Sequence, residues 1–186
     1  MIVLAIPYWE VDKDKRTVLQ DCVNSFTDYD RLIILSGRQP TLPNAWNQLL
    51  RLSFGMGADY VVLANDDVIL TDGSLKDLCK PGTVVSPTVN MGTIKKFHAH
   101  IFSLPRDVYE KVGEFDEKFT IYWADTDYCK RLVDAGVPIE TNKDVNVLHP
   151  EPARTLRYTM GVTEKSDRDI FVEKWGKEYF DPSMGR

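Results

Sequence analysis

The chain has 186 residues, 43% hydrophobic and 27% charged, which suits one globular domain with its own core and excludes a disordered or fibrous chain. A formal net charge of −5 excludes the broad basic footprint of a typical nucleic-acid binder. Three widely spaced cysteines, Cys22, Cys79 and Cys129, form no CxxC pair, which argues against a disulfide framework or a zinc site.

The opening MIVLAIPYW is apolar but short and has no basic start, so it reads as a first strand and not as a signal peptide. No apolar run is long enough to cross a membrane, and a cytoplasmic protein is expected. Ile2 to Ile6 is a continuous apolar run of the kind found in a strand covered on both faces. Lys15 to Phe26 follows a helical period, with Val18, Leu19, Cys22, Val23 and Phe26 on one side. Leu32 to Leu35 is a second buried strand, closed by Ser36-Gly37. Pro43 opens a helix whose apolar face carries Ala45, Trp46, Leu49, Leu50 and Phe54 and which ends near Gly55 and Gly57. Tyr60 to Ala64 is a third strand, running into Asn65-Asp66-Asp67.

Strand–helix–strand–helix–strand predicts an α/β fold with a mostly parallel central sheet flanked by helices, Rossmann-like in its winding. Ligands of such sheets bind beyond the carboxyl ends of the strands, where Pro7-Tyr8-Trp9, Ser36-Gly37-Arg38 and Asn65-Asp66-Asp67 all fall. The second half predicts strands at Thr83–Ser86, Ala99–Leu104 and Val145–Leu148. Helices are expected at Pro105–Val112, Asp125–Ala135 and Asp167–Trp175, ended by Gly113, Gly136 and Gly176. With no repeat and no clear linker, residues 1–186 read as a single domain. Its first half, 1–90, carries the crevice and its second half, 91–186, the remaining acidic residues.

Carboxylates at a strand end suit Mg2+ or Mn2+ bridging phosphate oxygens, although Asp66 and Asp67 would equally serve a simple turn. Asp125 and Asp127 stand at a helix start, where Asp also serves as an N-cap. His149 follows a short strand, a position open to a structural imidazole or a metal ligand. His98 and His100 alternate along an expected strand and would share a face.

YVVLANDDVIL resembles the DXD region of GT-A glycosyltransferases, particularly the inverting family 2, in which Asn-x-Asp often replaces Asp-x-Asp. A second block, FSLPRDVYEKVGEFDEKFTIYWADTDYCKRLVDAG, resembles that family's Gly-x-Phe-Asp-Glu stretch, acidic pair and Arg-Leu helix. It carries Gly113-Glu114-Phe115-Asp116-Glu117, Trp123-Ala124-Asp125-Thr126-Asp127 and Arg131-Leu132. AIPYWE is similar to the family's Ile-Pro-x-Tyr-Asn, and the tail SDRDIFVEKWGKEYF to its Phe-x-x-Lys-Trp-Gly ending. The resemblance implies a single GT-A-like domain that transfers sugar from a nucleoside-diphosphate sugar, a UDP-sugar first, to a saccharide or other hydroxyl acceptor. Mn2+ or Mg2+ would be held by Asp67 and His149. The donor would meet Pro7, Trp9, Ser36, Asn47, Asn65, Asp66 and Asp67, with the base stacking on Trp9. Asp125 would be the general base, and Trp123 and Asp127 would lie at the acceptor.

The chain departs from the family pattern at three places. Ala124 replaces the Glu before the base, Trp46 replaces an Arg that often supports the nucleotide, and Ser36-Gly37-Arg38 lacks the Asp that reads the base. Two other classes therefore stay in view: a degenerate nucleotide- or glycan-binding module of the same fold, and a nucleotidyltransferase. The latter is disfavoured because Pro7-Tyr8-Trp9-Glu10 is no Gly-rich phosphate loop. A modified DNA acceptor is disfavoured by the acidic balance.

Overall fold

The computed structural model of the chain describes residues 1–9, 15–89, 99–149 and 163–177. In chain order the elements are β1 (Ile2–Tyr8), α1 (Lys15–Ser25), β2 (Arg31–Ser36), α2 (Leu42–Gly55), β3 (Tyr60–Ala64), β4 (Ile69–Asp72) and a 3-10 turn (Leu75–Leu78). They continue with β5 (Val84–Val89), β6 (Ile101–Pro105), α3 (Arg106–Val112), α4 (Ala124–Asp134), β7 (Ile139–Leu148) and α5 (Thr163–Trp175). The strands form one sheet in the order β2-β1-β3-β6-β5-β7-β4.

β1 pairs in parallel with both β2 and β3, as the βαβαβ reading of the first 64 residues requires. β6 then runs antiparallel to β3 and to β5, and β4 runs antiparallel to β7, so the sheet is mixed. β5 and β7 are parallel to each other. The reversals bring the start of β6, the start of β4 and the end of β7 to the edge where β1, β2 and β3 finish.

Alternation along the strands covers both faces. Val3 and Ala5 of β1, Val61 and Leu63 of β3 and Phe102 and Leu104 of β6 meet the apolar sides of α2, α4 and α5 in one buried cluster. Leu4, Ile6, Val62, Ala64 and Ile101 point the other way, against Cys22 of α1, Phe26, and Leu75 and Leu78 of the 3-10 turn. Tyr128, Phe102, Phe119 and Phe171 are among the largest fully buried side chains. All three cysteines are free; Cys22 and Cys129 are buried, and Cys79 is partly so.

α2 starts where its sequence dictates. Thr41 is extended, and its side chain accepts a hydrogen bond from the Asn44 amide at 3.1 Å. Pro43 follows in the first turn, where a missing N–H leaves no broken bond. The strand expected at Val145–Leu148 is longer and begins at Ile139. β4 itself has only four residues, half-buried then exposed, too few and too polar to show an apolar period.

Asn47, expected at the donor, lies instead inside the larger cluster and is fully buried. Its amide N–H groups donate to the Phe115 carbonyl and to Glu117, both at 2.9 Å, and its carbonyl accepts from the Phe115 N–H at 2.9 Å. Asn47 therefore acts as a backbone clamp on the Gly113–Glu117 stretch and has no surface to offer a ligand. Trp46 is buried too, and its ring packs on Phe115 with centroids 4.8 Å apart. Asn47→Leu leaves the Phe115 N–H and C=O buried without partners. We expect a loss of about 2–4 kcal/mol in urea denaturation, where a surface amide would cost under about 0.5 kcal/mol.

Candidate functional site

The crevice edge divides into three groups of residues, each placed by a different part of the fold. The first is acidic and imidazole-rich. β3 ends at Ala64, and Asn65-Asp66-Asp67 turns the chain toward β4. Among the described residues β4 pairs only with β7, with Ile69 opposite Leu148. That register brings Asp67, two residues before β4, beside His149, the residue after β7: His149 Nε2 lies 2.9 Å from Asp67 Oδ1, across 82 residues of sequence. His149 is 4% exposed and Asp66 8% exposed, so the turn is recessed into the edge.

β6 adds to this group from the opposite direction. His100 immediately precedes it; its carbonyl accepts from the Asn65 N–H at 2.8 Å, and its Nδ1 lies 3.3 Å from Asn65 Nδ2. The His100 and His149 rings meet with centroids 4.3 Å apart. His100 lies in a turn and not within the strand; His98, expected on the same face, lies outside the described residues. From the other face of the sheet the Cys22 thiol donates to the Asn65 carbonyl at 3.4 Å. Burial, aided by the nearby Asp66, pushes that thiol up to about 12, so it remains protonated and inert.

The second group lies at the ends of β1 and β2. Pro7 pairs with Leu35 and Tyr8 with exposed Ser36, and the Gly37 N–H donates to the Tyr8 carbonyl at 3.0 Å. Gly37 has φ +105°, a conformation that favours glycine. The turn it makes brings the Arg38 guanidinium over the Trp9 ring, 5.4 Å from its centroid. Trp9 thus stands at the edge and outside the core. Arg38 is a contact the sequence reading missed, since an exposed Arg in a Gly-Arg turn carries no signal.

The third group centres on the start of α4. Trp123 is the residue before the helix and adopts φ 64°, ψ −9°. For a bulky side chain this left-handed backbone costs about 1–2 kcal/mol, and it persists because the surroundings fix it. The Trp123 ring packs on Phe171 at 5.1 Å. Asp125, two residues on, is half-buried with its carboxyl turned in from solvent, and accepts a hydrogen bond from the Thr126 N–H at 2.9 Å. It is not the N-cap. Burial raises its pKa above the usual carboxylate value, while the amides of Thr126 and of Asp125 itself pull the other way. Desolvation outweighs the ionising pull of these amides.

Asp127, expected at the acceptor, is fully buried. Its Oδ2 accepts from Arg131 Nε at 3.0 Å, and its Oδ1 from Trp175 Nε1 at 2.8 Å and Lys174 Nζ at 2.7 Å. Lys174 also reaches Asp116 at 2.7 Å. Asp127 is thus a pin between α4 and α5 and has no face toward a ligand. This pin gives a physical role to the Asp, Arg, Lys and Trp of the two downstream sequence blocks. The third group joins the edge through α2, whose first amide, Leu42 N–H, donates to the Thr120 carbonyl at 2.8 Å.

Solved structures share this architecture. The crystal structure of GalNAc-T7 with UDP, GalNAc and Mn2+ matches with a TM-score of 0.68 and 10% identity over 97% of the chain, which spans 50% of that protein. The crystal structure of A197 from STIV matches with a TM-score of 0.60 and 12% identity, covering 82% of this chain and 87% of that one. No protein-family model and no curated protein matches the sequence. The fold is GT-A-like.

In that GT-A-like frame, Asp67 and His149 offer one hard oxygen and one imidazole nitrogen, a donor pair that fits Mn2+ or Mg2+. Among the described residues no cluster of three His, Cys, Asp or Glu forms a closed cage, and no helix is long and apolar enough to cross a membrane. Asp127→Asn removes charge from the buried pin without touching this pair. It should cost about 2–3 kcal/mol in urea denaturation; a cost under about 0.5 kcal/mol would mean that the Arg131, Lys174 and Trp175 contacts do not hold α4 to α5.

Proposed function

We propose that the chain is a metal-dependent glycosyltransferase, similar to the inverting family 2, that moves a sugar from a nucleoside-diphosphate sugar to an acceptor hydroxyl. The observation that carries this reading is the Asp67–His149 pair, 2.9 Å apart at the carboxyl edge of a GT-A-like sheet. The similar GalNAc-T7 structure holds UDP, GalNAc and Mn2+, which supports a UDP-sugar as first donor and a saccharide as first acceptor.

In this reading the nucleobase lies against Trp9 and Arg38, between the ends of β1 and β2, with Ser36 offering a hydroxyl. The diphosphate lies toward Asn65 and Asp67. A divalent cation between Asp67 and His149 would neutralise the charge that grows on the diphosphate as it leaves. The acceptor oxygen attacks the anomeric carbon, the bond from that carbon to the diphosphate breaks with the electron pair leaving on phosphate, and the acceptor proton passes to Asp125. Trp123 flanks the acceptor beside Asp125. A raised pKa makes Asp125 a stronger base than a free carboxylate, at the cost of protonation over a wider acid range.

Thermal unfolding with UDP, GDP, dTDP or CMP, each with and without Mn2+, tests the donor half. One nucleotide should stabilise the chain only with metal, by about 2.7 kcal/mol at a hundred times its Kd, and Asp67→Ala should abolish the effect. Trp9→Ala should weaken the same nucleotide by roughly 1 kcal/mol. No response to any nucleotide would favour a degenerate module of the same fold.

The acid–base half has a signed pH dependence. A folded-state pKa above the unfolded value means that the folded chain binds the proton more tightly, so stability rises as pH falls through the raised value. Asp125→Asn removes the charged form. It should be more stable than the parent at neutral pH, with the gap closing as both are taken from about pH 8 to pH 4, and it should bind donor yet lose turnover. Melting curves across that range settle the first point. Near-normal turnover in this variant would remove Asp125 as the base.

A further inference from the structure

Asp167 lies on α5, 42 positions after the proposed base, and its side chain is fully buried. It faces backbone amides: Oδ1 accepts from the Thr120 N–H, and Oδ2 accepts from the Ile121 and Tyr122 N–H groups, all at 2.9 Å. Three successive amides converging on one carboxylate make a concave anion site, filled here from within the chain. These are the residues that lead into Trp123, whose left-handed backbone turns the chain into α4 and presents Asp125.

The same helix reaches the neighbouring positions. Phe171 packs under the Trp123 ring, and Lys174 and Trp175 hold Asp127. The contacts of α5 therefore fix residues 120–123 on one side of Asp125 and residue 127 on the other. Asp125 itself lies between these two fixed points.

We propose that Asp167 is a positioning residue for the transfer step: by capping the amides of 120–122 it sets the Trp123 backbone and so aims Asp125 at the acceptor. This role rests on the reading of Asp125 as the base. It is separate from the donor, which lies toward Asp67, His149 and Trp9. A misplacement of about 1 Å at a reacting group costs up to about a hundredfold in rate, so holding this loop has a kinetic consequence beyond stability.

Asp167→Asn in the full chain tests it. The amide keeps one acceptor oxygen but turns an NH2 toward backbone N–H groups, so at least one of the three loses its partner. Amide hydrogen exchange at 120–122 should quicken by about tenfold or more. The kcat for donor turnover, followed as release of UDP, should fall by about tenfold or more, with donor KM and UDP–Mn2+ affinity within about twofold of the parent. Unchanged exchange, unchanged kcat, or a loss of UDP affinity in step with kcat would each overturn the proposal. Should that variant not fold, Asp167→Glu carries the test: it keeps the charge and one more methylene moves the loop, so exchange stays slow while kcat still falls. Full activity in the Glu variant would overturn the proposal. Asp125→Asn separates the two claims. An inactive Asp125→Asn beside a fully active Asp167→Asn sinks only the positioning role, whereas an active Asp125→Asn sinks the base.

Discussion

The antiparallel ladder between β4 and β7 is the constraint on which the site depends. β4 is four residues long and has no other neighbour in the sheet among the described residues. Without Ile69 opposite Leu148, Asp67 would sit on a free turn and His149 at the end of a distant strand. With that pairing the two meet at 2.9 Å, recessed between β3 and the start of β6. The reversed β6 completes the wall by bringing His100 against Asn65. A purely parallel sheet could not do this, because it would send the start of β6 to the opposite edge.

A second set of interactions works away from the crevice and fixes the start of α4. Asp127 is a buried charge, and such a charge is tolerated only when paired and hydrogen-bonded. Arg131, Lys174 and the Trp175 N–H supply that, and in doing so they tie α4 to α5. Asn47 and Glu117 do the same between α2 and the stretch before α4; hydrogen bonds from Asn44 and Asn47 hold Glu117 below the usual carboxylate range. Polar residues are thus used as joints between elements whose apolar faces already agree.

The sequence carried the first half of the fold openly, because β1, β2 and β3 are continuous apolar runs separated by helical periods, the second opened by the Thr41 cap and closed by Gly55 and Gly57. It hid β4, whose pattern is too short and too polar, and the full length of β7, whose first residues are exposed and charged. The strand-end rule pointed to the Asn65–Asp67 turn and the family resemblance to His149; the β4–β7 register that brings Asp67 and His149 within 2.9 Å is set by a strand the sequence did not show. Asn47 and Asp127 looked like ligand residues because buried clamps use the same amides and carboxylates as binding sites do; only burial separates the two uses. Asp167 gave no signal, since one Asp within a charged helix resembles any other until the loop it caps is in place.

The pairing of β4 with β7 also has a meaning for how the chain emerges from the ribosome. β4 leaves the exit tunnel with no strand to join, and its one partner is complete only when residue 148 has been made. At synthesis rates of about 5–20 residues per second, the 82 residues between Asp67 and His149 correspond to roughly 4–16 s. During that interval β1, β2 and β3 can already form their parallel unit, while the acidic turn remains an unpaired strand end. β1, β2 and β3 can therefore assemble before Asp67 meets His149, so this contact closes late in the formation of the domain.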